Sequence, residues 1–244
     1  MIRTIEELSM NAWPALQILH YDGWVLRCAD GYTKRANSIY PLYPSEIDVG
    51  EKIDFCESFY QDRNLPVVFK LTHASTPANL DVRLKALGYC PASHTSVQLL
   101  DLTQGEYGTM EDIELSSEDS ETWQAAIVRM NGMDSNHKVT HENILRAILP
   151  GKCFASLSVE GRVTGCGLAV LQAGYLGLFD IVIDTPIRAR GYGTRLVNAM
   201  LAWGVQQGAH TAYLQVMCDN EPATRLYRKL GFMEKYRYWY RIKT

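Results

Sequence analysis

Several common ligand signatures are missing from this chain. Its most conspicuous glycine-bearing turn, Arg188-x-x-Gly191-x-Gly193, is not followed by Lys-Ser or Lys-Thr, so it is no Walker loop. The third glycine of a dinucleotide-binding turn would fall at position 196, which is Leu196, so that fingerprint fails too. The six cysteines are scattered, with no C-x-x-C pair to suggest a zinc site or a redox couple. No apolar run approaches the ~20 residues of a membrane span. A formal net charge of −3 implies no basic face for nucleic acid. The opening "MIRTIEELSMNAW" carries acidic residues and has no uninterrupted apolar core, so no signal peptide is expected. A reduced, cytoplasmic protein is the expectation. With 47% hydrophobic and 21% charged residues, the 244-residue chain can bury a sizeable core as one large domain or two small ones.

What is present centres on "LGLFDIVIDTPIRARGYGTRL", Leu176 to Leu196. An apolar, β-branched strand from Leu178 to Ile183 breaks at Asp184-Thr185-Pro186, crosses the glycine turn and enters a helix. A helix start offers unpartnered N–H groups and partial positive charge, and glycine lets a ligand approach the backbone. Arg188, Arg190 and Arg195 add cations. An anion site is the expectation, most simply for a phosphorylated cofactor. Next come a strand (Ala212 to Met217), a turn at Asp219-Asn220, a helix from Pro222 to Leu230, Gly231 just past its end, and a last strand from Phe232 to Arg241.

Arg/Gln-x-x-Gly-x-Gly/Ala at a strand-to-helix turn, followed by an Asn after the next strand, a small residue at Ala223 and Leu-Tyr-x-x-Leu-Gly-Phe, resembles the GNAT superfamily of acyl-CoA-dependent N-acyltransferases. "GYTKRANSIYPL", "YLQVMCDNEPATRLYRKLGF" and the aromatic "YRYWYR" extend the likeness over nearly the whole chain, to a bacterial subfamily with a reduced N-terminal half. The resemblance implies an α/β (α+β) GNAT fold, a mixed central sheet flanked by helices, with a degenerate GNAT-like N-terminal half. Leu87-Gly88-Tyr89 matches Leu230-Gly231-Phe232, and the N-terminal helix start has no glycine turn. A generic α/β domain of similar element order is the alternative. The polar stretch 103–111 sets the expected domains at 1–105 and 111–244.

The chain in order predicts a helix from Ile5 to Leu19 kinked or split by Pro14, and a strand from Gly23 to Asp30. Lys34 to Tyr43 pairs with it as a hairpin, followed by a helix near 47–62, a strand at 66–72, a short helix at 79–87 and a strand over "HTSVQLLDL". The second half begins with a strand near Ile113, a capping box at Ser116-x-x-Asp119, helices near 121–130 and 140–149, and a three-strand meander. The meander turns at Glu160-Gly161 and Ala173-Gly174, and Gly165 and Gly167 mark a bulge or a close approach.

By resemblance, the N–H groups of Arg188, Ala189, Arg190, Gly191, Tyr192, Gly193 and Thr194 hold the pyrophosphate of acetyl-CoA. Ile181, Val182 and Ile183 pair with the pantetheine arm and give an N–H to the thioester oxygen. Asn220 bonds the pantetheine, or closes an Asx turn at the strand–helix junction. Tyr227 is the general acid, or a packed ring. Several members of the family carry a strand glutamate where this chain has Gly177, so the base is open. Asp180 is the nearby carboxylate, and strict alternation sets it opposite Phe179 and Ile181. His137 and His141 flank a loop expected near the acceptor; no third ligand accompanies them, and no metal is expected. The implied partners are an acyl-CoA and an amine acceptor, a homodimer being open; neither nucleic acid nor membrane is among them. Cys166 sits on a glycine-rich strand, and Arg35 to Asn37 and the aromatic last strand admit either a site or a core role. The implied activity is N-acetyl transfer by direct attack in a ternary complex. The rival is a non-catalytic acyl-CoA-binding module.

Overall fold

The computed structural model of the chain describes residues 1–108 and 111–243; Thr109 and Met110 of the expected linker therefore lie outside the described residues. Two compact units emerge, and neither is continuous in sequence. The first comprises Met1–Ser96, Val139–Ile148 and the chain from Tyr236 on; the second comprises Val97–Lys138 and Leu149–Lys235.

In the first unit, α1 (Ile2–Ala12) precedes the hairpin β1 (Gln17–Tyr21) and β2 (Trp24–Cys28). The helix expected to reach Leu19 ends instead at Ala12, because Pro14 cannot continue it. Gln17 to Tyr21 then pair with β2 across Asp22-Gly23, both at positive φ, the geometry that matches strand twist. The expected strand Lys34 to Tyr43 shrinks to β3 (Ile39–Pro41). Asn37 is the reason: its amide accepts from Ala29 N–H at 2.7 Å and donates to Thr33 O at 2.8 Å, folding this stretch into a loop. α2 (Val49–Gln61), β4 (Val67–Thr72), α3 (Leu80–Ala86) and the first part of β5 (Cys90–Asp101) follow. Strand order runs β1-β2-β3-β4 and then the chain's last strand, β11 (Met233–Lys243). Leu26, Ile39, Ile53, Tyr60, Phe69 and Leu84 form the core under α2 and α3. On the other face Lys70 meets Glu6 of α1 at 2.6 Å, and Tyr236 donates to the same carboxylate at 2.7 Å. Tyr236, Tyr238 and Tyr240 are buried on β11, while Trp239 turns away to donate to Asp81 at 2.7 Å. The aromatic last strand is thus core.

The second unit holds β6 (Ile113–Ser116), α4 (Glu121–Asn131) and the start of α5 (Ser135–Ala147). The meander of β7 (Gly151–Val159), β8 (Arg162–Gln172) and β9 (Tyr175–Ile183) leads to α6 (Tyr192–Gln206), β10 (Thr211–Met217) and α7 (Glu221–Lys229). Strand order is β5-β10-β9-β8-β7-β6. Both meander turns use residue pairs at positive φ, Glu160-Gly161 and Ala173-Gly174. The cap of α4 is Ser120, whose hydroxyl accepts from Trp123 N–H at 3.2 Å; Ser116, expected in that role, accepts from Glu118 N–H instead. The second helix starts at Ser135, five residues before the expected Thr140, so His137 and His141 both lie on α5 rather than flanking a loop. Leu176, Leu178, Leu196, Met200, Leu214, Tyr227 and Phe232 belong to the core under α6 and α7. On the opposite face Trp123 packs edge-on against Phe154. Each unit is a mixed sheet flanked by helices.

Candidate active site

The β9–β10 pair defines the site. Parallel strands must be joined by a crossover, here α6, and their ladder runs only from Tyr175/Thr211 to Leu178/Leu214. β9 continues to Ile183 and β10 to Met217, so the two separate beyond Leu178. The edge of β9 facing that gap is the backbone of Phe179 to Ile183, a row of strand groups outside the β10 ladder.

A β-bulge marks the point of separation. Across β8, Cys166 faces Val182 and Leu168 faces Phe179, so β9 carries one extra residue there. Asp180 sits in the bulge at φ +49°, half-buried. Leu178 and Ile181, three apart, both pack toward the α6 core. The strict alternation expected around Asp180 is broken there. Gly167, opposite the bulge, lies where a Cβ would come within 2.7 Å of Met200 Sδ; its absence lets α6 seat on the sheet.

After Ile183 the chain is pinned in place. Asp184 N–H donates to Thr164 O at 2.8 Å, and its carboxylate takes Arg129 of α4, whose other terminal nitrogen donates to Val163 O. The Arg129 bond holds the Asp184 carboxyl below the ordinary carboxylate range. Arg188 Nε donates to Ile183 O at 2.8 Å. Ala189 and Gly191 adopt φ +62° and +83°, and α6 then begins with Gly191 as its N-cap, no side-chain cap and no acidic residue in its first turn. Arg195 N–H is the first to bond back, to Gly191 O at 3.2 Å. The N–H groups of Tyr192, Gly193 and Thr194 therefore have no acceptor in the helix. A Cβ on Gly191 would meet nothing within 4 Å, and one on Gly193 would meet Leu226 Cδ1 at 2.7 Å. The cradle is open, cationic at its rim and lined by backbone donors, which fits a pyrophosphate. Of the three arginines expected around it, Arg188 and Arg190 are exposed, whereas Arg195 is paired with Asp112.

Asn220 caps α7: its Oδ1 accepts from Ala223 N–H at 3.2 Å, the Asx geometry, and the residue itself is exposed. Tyr227 is on the inward face of α7 at 8% exposure, its ring edge-on to Phe232. Burial pushes its phenol up to about 12, so it is protonated throughout the neutral range. Cys166 is fully buried, and burial, with the charge of Asp180 second, pushes its thiol up to about 12; it has no thiolate for acyl transfer. His141 is 1% exposed, packed by the rings of Trp13 and Tyr32, while His137 pairs with Asp134 at 3.1 Å. No group of three or more metal-ligating side chains occurs among the described residues, and no described helix is long and apolar enough to cross a membrane.

Gly177 proves to be sterically closed. A Cβ there would stand 2.6 Å from the Tyr213 hydroxyl and 2.6 Å from the Phe179 ring. Neither Tyr213 nor the Arg129–Asp184 tie was signalled by the sequence, since both depend on strand register.

This arrangement has relatives. The family described as "Probable histone acetyltransferase Rv0428c C-terminal" matches residues 1–241. The uncharacterized N-acetyltransferase YobR of Bacillus subtilis is 30% identical over 99% of this chain and 98% of its own. A GCN5-related N-acetyltransferase from Kribbella flavida superposes with a TM-score of 0.71 at 13% identity, over 99% of this chain and 95% of that one. A tandem GNAT protein from the clavulanic acid biosynthesis pathway gives 0.64 at 11% identity, over 98% and 87%. The chain belongs to the GNAT superfamily of acetyltransferases, in the family described by that Rv0428c C-terminal region.

Proposed function

We propose that this chain is a cytoplasmic N-acetyltransferase that carries an acetyl group from acetyl-CoA to a primary amine of a small molecule or peptide, by direct attack in a ternary complex. The observation that carries the reading is the stretch of β9 beyond its ladder with β10, Ile181 to Ile183, followed across one short turn by the uncapped start of α6. A bound acetyl thioester supplies the activated acyl carbon. The N–H groups from Arg188 to Thr194 hold its pyrophosphate, and the edge from Ile181 to Ile183 aligns its arm and offers an N–H to the thioester oxygen. The Asn220 amide, its oxygen engaged in the cap, donates to the arm. Tyr227 gives its proton to the departing thiolate as the C–S bond breaks, and Asp180, half-buried at the bulge, takes the proton the amine loses through a water. The six free thiols support a reducing compartment.

The N-terminal half is proposed to be a GNAT-like half that has lost cofactor binding, supported by the state of its own helix start. The carboxylate of Asp48 caps α2, accepting from Gly50 N–H at 2.7 Å, where α6 has an open glycine. The second reading, a non-catalytic acyl-CoA-binding module, is favoured by the missing strand carboxylate at Gly177. Tyr227→Phe separates the two. As the acid, Tyr227 contributes on the order of 10²-fold or more to turnover, so the variant loses that much kcat while acetyl-CoA affinity stays. Unchanged turnover in the variant leaves only packing for Tyr227.

A further inference from the structure

We infer that Phe179 and Tyr213, packed over Gly177, close the acyl end of the donor site and restrict the donor to short acyl groups, acetyl foremost. The inference rests on the acyl-CoA reading above and concerns the same cleft. It follows from where the arm must end. A pantetheine arm has about twelve bonds between pyrophosphate and sulfur, the same as four peptide residues, or about 13 Å when extended. Ile183 lies beside the α6 start, its Cγ1 3.8 Å from where a Cβ on Gly193 would stand, and because of the bulge four ladder steps back from it end at Leu178, just past Phe179. The thioester of a donor held at the α6 start is therefore delivered just past the bulge, beside Phe179, and its acyl chain points on to where β9 and β10 come together at Leu178 and Leu214.

That end is filled on both faces. Toward α6 stand Leu178 and Leu214, and on the other face Phe179 and Tyr213 meet edge-on with ring centroids 6.1 Å apart. All four are at most 3% exposed. Gly177, the ladder partner of Tyr213, contributes no side chain because the Tyr213 ring and hydroxyl already occupy the space where its Cβ would stand. A close-packed wall has no slack for extra methylenes, so each one added to the acyl chain must displace a ring. At 177 the space of a side chain is filled instead by an aromatic ring contributed by β10. Discrimination of 10- to 200-fold per misfit methylene is the scale such walls reach.

The test compares binding of CoA, acetyl-CoA and hexanoyl-CoA to the full chain by calorimetry, in the native protein and in Tyr213→Ala. The expected result is hexanoyl-CoA at least tenfold weaker than acetyl-CoA in the native protein, with the gap narrowing to threefold or less in the variant. Tyr213→Phe, which keeps the ring, retains the native ratio. Phe179→Ala serves as a second opening if Tyr213→Ala lacks a native thermal transition. Equal affinity of the native protein for acetyl- and hexanoyl-CoA overturns the inference, as does an unchanged ratio in a folded Ala variant, and both leave the acetyltransferase reading standing. If neither CoA nor acetyl-CoA binds, that broader reading fails and this one with it.

Discussion

The carboxylate of Asp22 accepts the backbone N–H of Ile47 at 2.9 Å, and that of Glu46 at 3.1 Å, in the loop that leads to α2. Lys52, fully buried beneath this loop, pairs with the same carboxylate and lies over the Trp24 ring. An internal anion thus sits on the donors that precede α2, whereas the donors preceding α6 face open space at Gly191. The two helix starts therefore respond differently to an added ligand. Hydrogen exchange with saturating CoA should show the amides of residues 189–194 protected and those of 46–51 unchanged. Protection at 46–51 equal to that at 189–194 contradicts the assignment of cofactor binding to the second unit.

Lys70 is buried against Glu6 and under the Tyr238 ring at 3.8 Å. Removing one partner strands the other charge in a dry interior. Lys70→Met should therefore cost about 3–5 kcal/mol in denaturant unfolding. Replacing both, with Glu6→Leu added, should recover part of that loss, because the pair is expensive to bury but worse to break. A single variant within about 0.5 kcal/mol of the native chain, the range of an ordinary surface change, would show that Glu6 is already satisfied without its cation.

Asp81 supplies the pH dependence. Its carboxylate takes Arg241 Nε at 2.8 Å and the Trp239 indole N–H at 2.7 Å, and the Arg241 bond comes first in holding its carboxyl below the ordinary range. A carboxyl depressed on folding stabilises the fold fully above its unfolded pKa of about 3.9, and that contribution disappears as pH falls through the folded value. Asp81→Asn, which cannot titrate, should flatten stability against pH below about pH 4 relative to the native chain. Parallel curves for the two proteins would remove Asp81 from the acid response.

Much of this fold and site is legible in the sequence. Strand, glycine turn and helix around Gly191 carry local signals, and so do Pro222 and Gly231 at the two ends of the α7 segment. The meander declared itself in Glu160-Gly161 and Ala173-Gly174. What escaped was non-local. Gln17 to Tyr21 reads as a continuation of α1 until β2 pairs with it. Asn37 reads as part of a strand until its amide is seen satisfying Ala29 and Thr33. Asp180 looks like an alternating strand residue because a bulge has no composition of its own. Tyr213 meets Gly177 only through a parallel register that no spacing in the chain encodes. Membership of the two units is equally hidden: the last strand groups with the first unit from Tyr236 on.

The most direct test of the account is a calorimetric titration of acetyl-CoA into the native chain and into Gly191→Glu. Gly191 holds φ +83° with open space beyond it, so a glutamate there brings both a strained backbone and a carboxylate into the anion cradle. The account predicts one site per chain of micromolar affinity, and at least a tenfold loss in the variant with its thermal transition retained. Two sites per chain, no binding, or undiminished binding by Gly191→Glu would contradict it.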